Sequence, residues 1–308
     1  MVKRTFILCL LTHAAACGYT QKDTSFSGVD TKRLWITIGA NAAFWTGSYI
    51  ALNKAWYADF PRSSFHFFND DEEWNQMDKA GHAWTSYRLS RSSSALWKWT
   101  GLNDNTAAVL GGVSGLVYQG IIEVQDGFSA QWGFSWGDMG ANAVGSALFV
   151  AQQFAWKDQR LQIKLSYTPY NYPPELTDRR NDLFGRSFTE QILKDYNSQA
   201  YWASVNIVSF FPDSNIPRWL NIALGYGSDG MLGARSNIWI DRDGKIHDHT
   251  AIIRTRRFYL SPDIDLTRIK TKNKLLRSAF FILNSIKIPA PAIELNSNGK
   301  FIGHVIKF

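Results

Sequence analysis

Three segments in the N-terminal half of the chain carry glycine or alanine at every fourth position. They are Leu34–Asn53, Thr106–Ile122 and Ser135–Trp156, and the first two contain no charged residue. Four-residue spacing places small side chains on one face of a helix, where they let a second helix approach closely. Each glycine lowers helix stability by about 1 kcal/mol relative to alanine, so close packing must offset that cost. The pattern therefore predicts tightly packed helices.

A further helix is predicted between the first two of these segments. Asn69 is a good N-cap, and Glu72 stands three residues later to complete a capping box. The helix continues to about Leu96 and carries Lys79, Arg88 and Arg91. Charged residues of this kind argue against a lipid-buried span. Residues 33–157 are therefore predicted to form a four-helix bundle.

The periodicity changes near residue 158. Leu161, Ile163 and Leu165 alternate with polar residues, which is typical of a strand. Further strand-like segments are Tyr201–Phe211, Trp219–Gly227, Ile238–Ile240 and Phe258–Ile269, with short helices at Ser187–Tyr196 and Leu275–Ile286. Asn298–Gly299 predicts a hairpin turn near the end of the chain. The predicted class is α+β, with the N-terminal four-helix bundle followed by a mainly antiparallel β region at 158–308.

The N-terminus has the pattern of an export signal. Lys3 and Arg4 precede an apolar run at Phe6–Leu11, and Ala14–Ala16 supplies the small residues of a cleavage site. Residues 1–16 are therefore predicted to be a signal peptide and residues 17–32 a linker. Cys17 allows lipid attachment, whereas Ala14 departs from the usual lipobox, so lipidation and ordinary cleavage both stay open.

Cysteine content and charge narrow the function classes. The chain contains two cysteines, Cys9 and Cys17, and Cys9 leaves with the signal, which excludes an internal disulfide and a cysteine-based zinc site. The net charge is +7, of which two charges leave with the signal. Basic runs at 254–257 and 268–274 fit either anionic lipid headgroups or solvated faces. Nucleic acid is a poor partner for an exported chain, and membrane lipid is the expected one.

Three short polar clusters lie near the ends of the predicted helices. Their members are Asp78 with His82, Glu123 with Asp126, and Asp138 with Asn142. The first and third pairs have i,i+4 spacing, which places both side chains on one helix face. A carboxylate beside an imidazole suits acid–base chemistry or metal binding. Together the six residues form a carboxylate-rich set with one histidine, which suits a hard divalent cation or hydrolysis without specifying a metal or cofactor.

Structural interpretations compete with each cluster. The Asp78–His82 pair is also consistent with simple helix stabilisation. Glu123 and Asp126 follow an uncharged helix and precede Gly127, so a solvated turn accounts for them equally well. Asp138 follows Ser135 as in a capping box. Asn142 is harder to explain structurally, because an amide in an apolar helix needs several hydrogen-bond partners.

These motifs carry a family resemblance. The segments 77–82, 123–126 and 135–145 resemble the YfiM-like predicted periplasmic lipoproteins, a family of unknown function from Gram-negative envelopes, and segments 190–197, 219–227 and 263–267 resemble its longer members. A looser similarity links the chain to VanZ-like four-helix membrane proteins, for which the implied residues are Asp78, Lys79, His82, Glu123, Asp138 and Asn142. The resemblance implies a periplasmic envelope location and no established activity.

Three functional interpretations follow. The first is a cell-envelope protein associated with a membrane, in which the polar cluster has a structural or ligand-binding role. The second is an envelope hydrolase or metal-dependent enzyme in which His82 is base or ligand, Asp78 orients it, and Glu123, Asp126 and Asp138 bind a cation or share protons. The third is that the C-terminal strands contribute to an outer-membrane barrel, against which the helix at Leu275–Ile286 argues.

Overall fold

The structure is a computed structural model that describes residues 28–53, 57, 61–241 and 243–308. The predicted signal peptide and Cys17 lie outside these residues. The chain divides into two compact units. The helical unit comprises the described residues up to Asp70, His82–Arg160 and Leu266–Ser285, and the sheet unit comprises Asp71–Gly81, Leu161–Asp265 and Ile286–Phe308.

The N-terminal part of the chain is mainly helical, and the C-terminal part is mainly β-strand. The helices and strands are α1 (Thr31–Leu52), α2 (Met77–Trp99), α3 (Asp104–Asp126), α4 (Trp136–Trp156), β1 (Leu161–Tyr167), α5 (Thr177–Phe184), α6 (Phe188–Lys194), β2 (Gln199–Asn206), β3 (Leu220–Asp229), β4 (Ile238–Ile240), β5 (Ile246–Asp248), β6 (Thr255–Ile264), α7 (Lys274–Leu283), β7 (Ala290–Asn296) and β8 (Phe301–Lys307). The predicted α+β class is confirmed.

The sheet unit is built on six antiparallel strands in the order β1-β2-β3-β6-β7-β8, and β4 and β5 form a separate pair. The predicted hairpin joins β7 to β8. Gly299 lies in its turn with φ of 76°, a left-handed conformation that glycine adopts without steric cost.

The predicted start of α2 is wrong. The helix begins at Met77, not after an Asn69 cap, because a 3₁₀ turn at Glu73–Gln76 precedes it. Trp74 and Asn75 have positive φ values of 48° and 50°. Partners in the sheet unit hold this backbone: the Asn75 carbonyl accepts hydrogen bonds from the Tyr226 hydroxyl and the Arg256 guanidinium. Tertiary contacts therefore override the local capping signal.

The predicted end of α3 is also wrong. The helix continues to Asp126, so Glu123 and Asp126 lie in its last turn and not in a loop after it. Gly127 is the C-cap, and its backbone N–H donates to the carbonyl of Glu123. The interpretation of these two carboxylates as a solvated turn fails for Glu123, which is buried.

Small residues bring α2 close to α3 and α4. A Cβ added at Gly111 would lie 2.5 Å from the Ser90 carbonyl oxygen, and one at Gly145 would lie 2.2 Å from that of Ala83. Either distance is below any real contact, so larger side chains would force the helices apart. In α1, by contrast, Gly39 has no described atom within 4 Å of an added Cβ. The predicted small-residue contact therefore operates on α3 and α4 and not at that position of α1.

Polar side chains occupy much of the helical interior. Ser86 and Ser146 share a hydrogen bond of 2.6 Å, and the Ser90 hydroxyl lies 3.0 Å from that of Ser146. All three side chains are buried. On the outer side, α3 exposes valines at Val109 and Val113. Among the described residues α3 alone is long and apolar enough to cross a membrane by length and composition, and half of its most apolar stretch is buried.

Candidate metal centre

His82 lies at the centre of the polar cluster, on the second turn of α2. Its Nδ1 is 3.2 Å from Asn142 Oδ1 on α4. The same amide oxygen accepts a hydrogen bond of 3.1 Å from Gln119 Nε2 on α3. With its proton on Nδ1, the imidazole donates to Asn142, and Nε2 carries the lone pair of the ring. That nitrogen faces Asp138 Oδ1 at 3.7 Å.

Two carboxylates flank the imidazole. Glu123 Oε1 is 3.6 Å from His82 Nδ1, and Asp138 Oδ1 lies on the side of Nε2. One donor atom from each of the three residues can be chosen so that all lie within 4.8 Å of one another. Three different helices therefore bring three potential metal ligands together.

Glu123 is the most constrained member of the cluster. Only 1% of its surface is exposed. Its Oε2 accepts a hydrogen bond of 3.3 Å from the Ser135 backbone N–H, whereas Oε1 is buried and accepts no hydrogen bond from any residue that the structure describes. The pKa of Glu123 is raised to about 9, mainly by burial and further by the nearby charges of Asp138 and Asp126, while the Ser135 N–H opposes the shift.

Ser135 positions Asp138. It is the N-cap of α4, and its hydroxyl accepts a hydrogen bond of 3.1 Å from the Asp138 backbone N–H. The same hydroxyl donates to Asp70 Oδ1 at 2.6 Å. The capping interpretation is thus compatible with a functional one, because the cap uses the backbone of Asp138 and leaves its carboxylate facing His82.

Asn142 and Gln119 form a supporting layer around the imidazole. Asn142 is fully buried, and its Nδ2 has no hydrogen-bond partner within the described part of the chain. Gln119, also buried, is a residue that the sequence reasoning missed. Its position four residues before Glu123, on the same face of an uncharged helix, is the signal that would have found it.

The two remaining predicted residues have other neighbours. Asp126 accepts a hydrogen bond of 2.7 Å from the Tyr57 hydroxyl. Burial raises the pKa of Asp126 to about 7, and the Tyr57 hydrogen bond opposes the shift. Asp78 lies one turn before His82 on α2 but belongs to the sheet unit, and its Oδ2 is 3.1 Å from Lys79 Nζ. The cluster within the helical unit thus consists of His82, Glu123, Asp138 and Asn142.

One family comparison matches the chain in this region. Residues 66–153 match the family described as predicted periplasmic lipoprotein (DUF2279). The resemblance to that family is confirmed for this segment, which comprises 88 of the 308 residues. The match supports a periplasmic, cell-envelope location. No curated protein and no solved structure matches the chain significantly. The similarity to VanZ-like proteins stays a prediction.

The DUF2279 segment contains every residue of the cluster, from His82 on α2 to Asn142 on α4. A tetrahedral ion with bonds of about 2.1 Å separates its ligands by about 3.4 Å. The separation of 3.7 Å between His82 Nε2 and Asp138 Oδ1 is close to that value, and one donor atom of Glu123 lies within 4.8 Å of a donor atom of each of the other two residues. The arrangement can therefore hold a small divalent cation after modest side-chain rotation.

Proposed function

We propose that this is a cell-envelope protein, held at a membrane by lipid on Cys17, whose helical unit binds one divalent transition-metal ion through His82, Glu123 and Asp138. The observation that carries the proposal is the buried Glu123 Oε1, which accepts no hydrogen bond from the described residues and faces the imidazole. A buried carboxylate oxygen without a partner is costly, so it needs either a proton or a cation.

Charge balance favours the cation. Asp138 lies on the other side of the imidazole, so the site holds two carboxylates around one neutral ring when both acids are ionised. A divalent cation brings the net charge of this set to zero, whereas a single proton leaves one negative charge. Because burial penalises net charge, the metal-bound form is the better compensated one.

The donor set also favours a transition metal over Ca²⁺ or Mg²⁺. Those two hard cations prefer oxygen ligands, whereas imidazole with carboxylates suits Zn²⁺ and its neighbours in the first transition row. Asn142 supports this interpretation, because metal-binding histidines usually donate their other ring N–H to an oxygen acceptor that fixes the ring. Three protein ligands would leave one coordination position for water, which is the feature that a hydrolytic enzyme would use.

The test is metal binding by the purified mature chain, lipid-bearing and in detergent. The protein is dialysed against Zn²⁺, Mn²⁺ or Ca²⁺, and bound metal is measured by mass spectrometry. We expect one equivalent of Zn²⁺ or Mn²⁺ in the wild type, a loss of that equivalent in His82→Ala and Glu123→Gln, and its retention in the control His66→Ala. His66 lies in the same unit, with hydrogen-bond contacts to Ser63 and Ser64 instead. Equal metal content in His82→Ala and wild type would refute the site.

A further inference from the structure

The six-stranded sheet has the reverse of the usual polarity on its two faces. Leu224, Leu260 and Ile293 are cross-strand neighbours on β3, β6 and β7, and they are 60%, 48% and 56% exposed. The adjacent row, in the same register, contains the exposed residues Phe258, Leu295 and Phe301. We call the face formed by these six residues the apolar sheet face. An antiparallel sheet in water normally turns such a face toward a core.

The opposite face carries buried charges. Lys164 and Asp263 are both fully buried and form an ion pair of 2.6 Å. Glu294, also buried, accepts from His304 Nε2 at 2.8 Å. Buried ions are tolerated when each has a partner of this kind. The face opposite the apolar sheet face, which we call the inner face, therefore carries charged groups whose partners lie within the protein.

Aromatic rings complete the inner face. Lys287 Nζ lies 4.6 Å from the centroid of the Trp202 ring, and Lys307 Nζ lies 5.2 Å from that of Tyr259. Trp202 and Tyr259 are buried and belong to one hydrophobic cluster. Since large rings and paired charges fill this side, the core of the sheet unit does not use the apolar sheet face.

Residues that directly follow the two edge strands, β1 and β8, are hydrogen-bonded to each other. The Thr168 hydroxyl, directly after β1, donates to the backbone carbonyl of Phe308, directly after β8, at 2.8 Å. The Lys287 backbone N–H donates to the Leu165 carbonyl on β1 at 2.9 Å. Backbone groups of open strand edges find no partner in hydrocarbon, and contacts of this kind give some groups at the edge strands a partner within the protein.

Strand length and flanking aromatic residues agree with a lipid environment. The two longest strands of the sheet, β3 and β6, each contain 10 residues, and strands of about 9 to 11 residues cross the hydrocarbon core of a bilayer, whereas the other four strands contain 7 or 8. Trp219 is exposed immediately before β3, at the end of the strand opposite Tyr226 and Phe301. Aromatic residues at both ends of an apolar band are typical of strands at membrane interfaces.

We infer that the apolar sheet face lies against the acyl chains of a lipid bilayer. A second copy of this chain would also cover apolar residues, but it would not explain why Lys164, Asp263 and Glu294 of the same sheet point inward. In hydrocarbon both halves of the pattern are favourable, because apolar residues contact lipid while ions find partners inside. The inference is independent of the proposed metal centre.

The test uses nitroxide labels on the full mature chain carrying Cys17→Ser, reconstituted into vesicles of phosphatidylethanolamine and phosphatidylglycerol. Labels are placed singly at Leu260→Cys and Ile293→Cys, and a matched control is placed at Lys300→Cys, in the exposed turn between β7 and β8. Collision rates of each label are measured with oxygen, which partitions into lipid, and with a water-soluble nickel chelate.

We expect the ratio of oxygen to nickel collisions to be several-fold higher at the two apolar positions than at Lys300→Cys. Nickel collision rates as high as at the control would mean that water contacts the face, which would overturn the inference. Protection from both reagents, with spin–spin broadening, would mean that a second copy covers the face, and would overturn it equally. Circular dichroism of each labelled chain shows that it has folded.

Discussion

Replacing Glu123 by glutamine tests separately how protonation of Glu123 and metal binding at the proposed centre affect stability. Glutamine keeps the shape of the side chain and the carbonyl that accepts from Ser135, but it cannot ionise. In the metal-free protein the pKa of Glu123 is raised from 4.5 to about 9, so the folded state holds a proton at pH 7 that the unfolded state has released. Glu123→Gln removes the free-energy cost of taking up that proton.

The magnitude follows from the gap between pH 7 and the unfolded pKa of 4.5. At about 1.36 kcal/mol per pH unit, this gap corresponds to about 3 kcal/mol. Between the two pKa values the folded state binds more protons than the unfolded state, so the free energy of unfolding falls as pH rises. Metal-free Glu123→Gln is therefore expected to be more stable than wild type by up to about 3 kcal/mol at pH 7, with little difference near pH 5.

The assay is urea unfolding of both proteins from pH 5 to pH 8 with a chelator present, repeated with Zn²⁺. Exposed Glu175→Gln is the control and should follow wild type throughout. A metal at 100 times its Kd adds about 2.7 kcal/mol. For a chain of this size that raises the Tm by about 5 to 10 °C, which we expect in wild type and not in Glu123→Gln.

Two results would refute the reasoning. If metal-free Glu123→Gln is less stable than wild type at pH 7, the carboxylate of Glu123 is stabilised by interactions other than those described above. If the two proteins lose stability with pH at the same rate, Glu123 does not titrate between the two pKa values.

Three further predictions test the packing and the membrane contact. Gly145→Ala should lower the free energy of unfolding by about 1 to 3 kcal/mol, because its Cβ would meet a backbone oxygen of α2 at 2.2 Å. The control Gly140→Ala has open space and should be neutral or stabilising by up to about 1 kcal/mol. Equal urea midpoints for the two variants would contradict the close approach of the helices. Lys164→Met should lower the free energy of unfolding by about 3 to 5 kcal/mol, because it leaves the Asp263 carboxylate buried without the Lys164 cation. Adding Asp263→Asn to this variant should restore part of the lost stability. If urea unfolding shows that Lys164→Met is as stable as wild type, the ion pair does not contribute strongly. The Cys17→Ser chain should still need detergent for extraction, because the apolar sheet face contacts lipid without the anchor, and release by alkaline carbonate would argue against that contact.

Much of the candidate site could be predicted from spacing. His82, Asp138 and Asn142 were found because i,i+4 pairs and an isolated amide in an apolar helix are unusual without partners. Glu123 was also predicted, but its burial was not, because the end of α3 was predicted at Ile122 and the helix continues to Asp126. Gln119 was missed although it lies four residues before Glu123 on the same helix face, because its role depends on a hydrogen bond to Asn142 across the helices.

The start of α2 was not predictable from local rules. Asn69 and Glu72 have the right types and spacing for a capping box, yet the helix begins at Met77. The competing backbone conformation depends on Tyr226 and Arg256, which lie 151 and 181 positions later than Asn75. Capping energies of about 1 kcal/mol are small enough for such contacts to override.

The sequence by itself determined the α+β class and the position of most elements, because four-residue and two-residue periodicities follow directly from helix and strand geometry. Only the tertiary structure decided which sheet face is buried. Along β3 the alternation separates Ile222 and Leu224 from Asn221 and Ala223, and it is the same whether the apolar set points toward a core or away from it. Burial depends on what packs against each face and on the surrounding solvent, and neither is encoded in the period of a single strand.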